Sequence, residues 1–74
     1  MTFKQGHYLT VNTPIMFRGE SGRLREFKVG KKLWVTSTEI DHDKGVVKLA
    51  PKGKTAGFAD AFKISDVEKS LKED

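Results

Sequence analysis

Gly30-Lys31-Lys32-Leu33-Trp34-Val35-Thr36-Ser37-Thr38-Glu39-Ile40, then Asp41-His42-Asp43-Lys44-Gly45, then Val46-Val47-Lys48-Leu49-Ala50, is the stretch on which the fold turns. Two runs rich in β-branched residues flank a polar connector closed by glycine, which is the signature of a β-hairpin. Alternation along the first run puts Leu33 and Val35 on one face and Trp34, Thr36 and Thr38 on the other. The opposite register would place Trp34 and Ile40 inside. A slip of one residue exchanges the two faces, so every later inference depends on this choice. In the return strand, Val47 and Leu49 share the core face, and Val46 and Lys48 the other.

Toward the N-terminus, His7-Tyr8-Leu9-Thr10-Val11 alternates as a short strand with Leu9 and Val11 on one side. Asn12-Thr13-Pro14 breaks it, because Pro14 has no amide hydrogen to give a ladder. Ile15-Met16-Phe17-Arg18 resumes as strand, Gly19-Glu20-Ser21-Gly22 reads as a turn, and Arg23 to Val29 is a bulged strand or an irregular connector. Residues 1–6 hold no evident anchor and are expected to be loose. Toward the C-terminus, Pro51 ends the return strand and Lys52 to Gly57 is a basic loop. Phe58 to Phe62 is a helical turn or the approach to a last strand, Phe62-Lys63-Ile64. Ser65-Asp66-Val67-Glu68 has capping-box spacing, predicting a short helix from Asp66 to about Lys72 with Val67 and Leu71 on one face. Acids at its start and lysines in its last turn suit the helix dipole.

The sum is a mainly β single domain over residues 1–74: about five short antiparallel strands closing as a small barrel, with a short C-terminal helical turn. A flat sheet of this size would leave edges and too little core. At 74 residues without cysteine, the chain has neither disulfides nor thiolate metal sites to staple it. No apolar run reaches the roughly 20 residues of a membrane span. The N-terminal residues lack the apolar stretch of a secretory signal. These features predict a cytoplasmic protein that neither inserts in a membrane nor carries a cofactor.

Fourteen Lys and Arg against ten Asp and Glu leave a net charge of +4. The excess is uneven: residues 1–38 carry seven basic and two acidic side chains, +5, and residues 39–74 carry seven and eight, −1. A basic half points to an anionic partner, nucleic acid foremost; a lysine-rich surface with no such partner is the plainer alternative. Trp34 beside Lys31, Lys32 and Lys48 would give an aromatic platform within a cationic rim, suited to stacking a base and neutralising phosphates; a core tryptophan is the competing reading. Tyr8 poses the same question. Arg18, Arg23 and Arg25 surround the Gly19–Gly22 turn and could reach phosphates or base edges, or could instead form a solvated, salt-bridged turn with Glu20 and Glu26.

Catalytic motifs are weak. Gly53-Lys54-Thr55 resembles the end of a phosphate-binding loop, but the glycine required five residues earlier is Lys48. Asp41 to Gly45 has too few oxygen ligands for a calcium loop, and a polar hairpin connector with Gly45 at positive φ is the better account. His7 and His42 lack plausible partners, and no glycine-elbow serine is present. The chain is therefore expected not to be an enzyme.

The order Val29-Gly30-Lys31-Lys32-Leu33-Trp34-Val35, Gly45-Val46-Val47-Lys48-Leu49, Phe62-Lys63-Ile64-Ser65-Asp66-Val67-Glu68 resembles the SH3-like small barrels, KOW-type domains among them. The resemblance covers about residues 29–68, whereas residues 7–28 depart from the usual pattern. It implies a glycine-led valine strand, a turn, a second valine strand and a final strand entering a helical turn. An OB-like barrel is the structural alternative. The family hosts RNA, DNA, peptide and protein binders, so it implies a binding role without choosing the ligand. Nucleic-acid binding is the favoured expectation. A protein-interaction module, accessory subunit or oligomeric regulator that adds a partner's strand to an exposed edge is the competing one.

Overall fold

The hairpin expected at the centre of the chain is the longest ladder of the protein. The structure, a computed structural model, describes residues 3–19, 21–41 and 44–74, the side chains of residues 40, 41 and 44 excepted. β4 (Lys32–Asp41) and β5 (Lys44–Pro51) pair antiparallel over most of their length. β1 (Tyr8–Val11) lies on the other side of β4, β6 (Asp60–Lys63) on the other side of β5, and β7 (Leu71–Glu73) beside β1, giving a five-stranded sheet in the order β6-β5-β4-β1-β7. β2 (Ile15–Arg18) and β3 (Leu24–Phe27) form a separate two-stranded sheet. One residue of the connector falls elsewhere than expected, and two are not described. Residues 42 and 43 lie outside the described residues, and Gly45 is within β5, paired with Ile40, rather than in the turn.

The register sends Leu33 and Val35 inward with Val47 and Leu49, all four with no measurable exposure. Burying each such side chain is worth about 1.5–3 kcal/mol, so this quartet is the main thermodynamic reason for the register. Leu9, Val11, Phe3, Ile15, Phe27, Phe62, Val67 and Leu71 complete the core. A β-bulge between Val35 and Ser37 departs from simple alternation. It turns Thr36, expected outside, into a buried residue whose hydroxyl donates to the Lys48 carbonyl at 3.2 Å. An extra residue in one strand shifts side-chain parity beyond it, and Thr38 accordingly pairs with the buried Val47.

The two sheets are joined by aromatics. Phe17 of β2 stands 4.7 Å from Phe27 of β3 and 4.9 Å from Phe62 of β6, centroid to centroid. Arg25 adds an ion pair to Asp60 at 3.1 Å. Backbone pairing among the described residues does not run all the way round this core, in contrast to the expected closed barrel. Among the described residues β2 pairs with β3 and β6 with β5, and side chains rather than a ladder line the gap between β2 and β6. β3 itself settles the ambiguity of residues 23–29: four residues are extended and Phe27 alone of them is buried. At Gly30, φ of 92° lets the chain turn sharply into β4, and its amide donates to the Val11 carbonyl at 2.8 Å.

Two expectations at the ends are corrected. Residues 3–6 are anchored: Phe3 is in the core, and the Gly6 amide donates to the Val35 carbonyl at 2.8 Å. The C-terminal helix is shorter and earlier than expected. α1 spans Ile64–Val67 with Lys63 at its N-cap and no side-chain cap, so the Ser65 capping box does not form. One 3-10 turn, Glu68–Ser70, follows, and then β7. A seven-residue helix is marginal by itself. Extending Leu71–Glu73 instead lets Leu71 enter the core while the backbone pairs with β1.

Candidate functional site

The outer face of the five-stranded sheet collects side chains from four strands into two rows. Residues directly opposite in an antiparallel pair point to the same side. The pairs Thr10↔Lys72 and Thr10↔Lys32, with the Lys52 amide donating to the Lys32 carbonyl, align Lys72, Thr10, Lys32 and Lys52. The next row holds Asp74, Tyr8, Trp34 and Ala50, through Tyr8↔Trp34, Trp34↔Ala50 and the Asp74 amide donating to the Tyr8 carbonyl. Strands are spaced about 4.8 Å apart, so Lys72 of β7, Lys32 of β4 and Lys52, just past the end of β5, stand within about 15 Å alongside two neighbouring aromatics.

The aromatics are not equivalent. Trp34 is half-buried, and its indole N–H donates to the Lys54 carbonyl at 2.9 Å. It lies on the outer face yet is partly covered, where the loop after β5 folds back on it; Ala50 beside it is fully buried. A positive φ of 89° at Gly53 makes that return possible. Tyr8 is 48% exposed and Phe58, in the 3-10 turn Ala56–Phe58, is 59% exposed. The Lys52 ammonium stands 5.3 Å from the Tyr8 ring centre and the Lys54 ammonium 5.4 Å from that of Phe58. Cations at this range are attracted to the ring faces, which holds both lysines beside the platform.

Lys32 anchors a small polar cluster. Its ammonium donates to Thr10 Oγ1 at 2.6 Å and to both carboxylate oxygens of Asp74 at 3.2 Å. The Thr10 hydroxyl donates in turn to Asp74 Oδ1. That hydroxyl bond is the largest influence; desolvation, next in size, opposes it, and the hydrogen bond and charge of Lys32 and the charge of Lys52 add to it, so that the Asp74 carboxyl is held below the usual carboxylate range. A carboxyl with a lowered folded pKa contributes stability above its unfolded value of about 3.9, and loses it as pH falls through the folded value. NMR titration of the Asp74 carboxyl should therefore give a midpoint below that of an unfolded-chain aspartate. An Asp74→Asn variant should lose less of its unfolding midpoint between about pH 4 and pH 2 than the parent. An ordinary midpoint would mean that the cluster is not formed in solution.

Of the residues singled out from the sequence, Lys32, Trp34 and Lys48 share this outer face, Lys48 lying one row beyond Ala50. Lys31 is exposed in the turn before β4, out of step with the lysine row. The arginines belong to the other sheet or its turn. Arg25 is held by Asp60 and lies 5.3 Å from the Phe17 ring centre, and Arg18 donates to the Gly22 carbonyl at 3.0 Å. Arg23 is exposed beside that turn, whose Glu20 lies outside the described residues. The residues that sequence reasoning left out are Lys52, Lys54, Phe58 and Lys72. The first two were visible as a basic loop, but Lys72 was hidden by reading β7 as helix.

No family model, curated protein or solved structure matches the chain. Among the described residues no helix is long and apolar enough to cross a membrane.

Proposed function

We propose that this chain is a non-enzymatic nucleic-acid-binding domain of SH3-like barrel type. Its outer sheet face takes phosphates on Lys32, Lys52, Lys72 and Lys48 and stacks bases on Tyr8, with Trp34 behind it. The observation that carries this reading is the pairing of a lysine row with an aromatic row, since single-stranded nucleic acid needs a cationic track beside stacking surfaces. The SH3-like assignment is supported by β7 returning through a helical turn to pair with β1, and by a hairpin of β2 and β3 laid across the same core. Arg18 and Arg25 are left out of the interface, because their guanidinium groups already serve the fold.

Titration of short DNA and RNA strands, read by Trp34 fluorescence, tests the proposal. Affinity measurable at about 50 mM salt should fall steeply toward 200 mM, because the counterions that phosphate contacts release gain less entropy on entering more concentrated salt. No binding at the lower salt, or binding indifferent to salt, would overturn it.

A second reading is favoured by a different place. A groove of about 370 Å³ lies between the unpaired sides of β2 and β6, floored by Ile15, Phe17, Phe62 and Val67, with Met16 exposed at its rim. Such a groove suits strand addition by a protein partner or a second copy. That reading predicts a dimer in light scattering, or amide shifts confined to residues 14–17 and 61–63 when a partner is added.

A further inference from the structure

Asp74 stands where a bound phosphate would be expected. Its two carboxylate oxygens accept from the Lys32 ammonium and the Thr10 hydroxyl, and the Lys52 charge acts on it from the same row. A phosphate oxyanion uses the same geometry, with oxygens that only accept and donors supplied by ammonium and hydroxyl groups. The pair is accessible, with the Lys32 and Asp74 side chains 47% and 32% exposed. An exposed ion pair of this kind is weak and exchangeable. Lys72, opposite Thr10 on the same face, adds a further positive charge nearby.

We infer that Thr10, Lys32 and Lys52 form a phosphate subsite which the Asp74 carboxylate occupies in cis, so that an incoming phosphate binds by displacing it. The subsite deepens the nucleic-acid reading and rests on it only for the source of the phosphate, a phosphodiester strand rather than the free ion. Asp74 then acts as a built-in competitor that lowers affinity for every anion alike. Glu73, the neighbouring acid, pairs in register with the inward Leu9 and so belongs to the opposite face. It supplies a control that changes net charge equally without vacating the subsite.

The test compares parent, Asp74→Asn and Glu73→Gln proteins, each checked for an intact fold by circular dichroism. With an eight-nucleotide oligothymidylate, Asp74→Asn should bind at least about threefold more tightly than Glu73→Gln at about 50 mM salt. Its logarithmic salt slope should stay within about 0.7 of that of Glu73→Gln, less than one phosphate contact on a single strand, because the same phosphate is bound in both and only the competitor is lost. Thr10→Val in the Asp74→Asn background should abolish the gain. In a separate arm, inorganic phosphate should shift the Thr10 and Lys32 amide resonances of Asp74→Asn more than those of the parent. If no variant binds the oligonucleotide while phosphate still shifts Asp74→Asn selectively, the subsite holds with free phosphate as its ligand and the nucleic-acid reading falls. If Asp74→Asn matches Glu73→Gln with the oligonucleotide and matches the parent with phosphate, the subsite is overturned.

Discussion

Replacing Leu33 with alanine should lower the thermal unfolding midpoint by at least about 10 °C. Leu33 has no exposed surface, faces Leu9 across the β1–β4 ladder, and sits at the centre of the quartet that sets the register. Truncating a fully buried leucine costs about 2–5 kcal/mol, from lost transfer energy and the cavity left behind. A chain of this length has total stability of only roughly 4–11 kcal/mol, without disulfides to restrain its unfolded state. Each kcal/mol lost shifts the midpoint by about 4–8 °C in a domain this small, so a drop of about 10–40 °C follows. Leu24→Ala is the control. Leu24 is 59% exposed on β3, and its loss should stay within about 0.5 kcal/mol. A Leu33→Ala midpoint within 5 °C of the parent would mean that the β4 register is wrong by one residue, and with it the assignment of the outer face.

Tyr8→Ala should weaken single-stranded nucleic-acid binding by about 1–3 kcal/mol, roughly 5- to 150-fold, while leaving the fold intact. Stacking on an exposed ring is the term removed. The stability cost is small, because Tyr8 is about half exposed and its cross-strand pairing with Trp34 is worth about 0.2–1 kcal/mol. Tyr8→Phe keeps the ring and should bind within about twofold of the parent if stacking dominates. Lys52→Gln should reduce affinity and also flatten the salt slope by about 0.7, since it removes a charge beside that ring. Equal affinities for the parent and Tyr8→Ala would take the aromatic row out of the interface.

The candidate face was half legible in the chain. Strand parity alone puts Trp34 opposite Leu33 and Val35, and Lys48 opposite Val47 and Leu49, because alternation is a local property of extended backbone. Tyr8 and Thr10 follow from Leu9 and Val11 in the same way. The exposure of Trp34 does not follow from parity. It depends on the loop after β5 folding back so that the Lys54 carbonyl meets the indole, a contact across twenty residues. The role of Arg25 was equally hidden, since Asp60, its partner, is 35 residues away.

Periodicity, turn residues and composition were enough to specify a mainly β chain with a central hairpin, an inward Leu33-Val35-Val47-Leu49 set and an excess of positive charge. These are short-range properties, encoded in neighbouring residues and readable one segment at a time. Only the folded arrangement decided that Leu71–Glu73 is a strand and not helix, that a bulge buries Thr36, that β2–β3 stands apart from the main sheet, and that Lys32, Lys52 and Lys72 share a row facing Tyr8 and Trp34. Each of these rests on pairing between distant segments, where gains from backbone hydrogen bonds and core burial outweigh local preference.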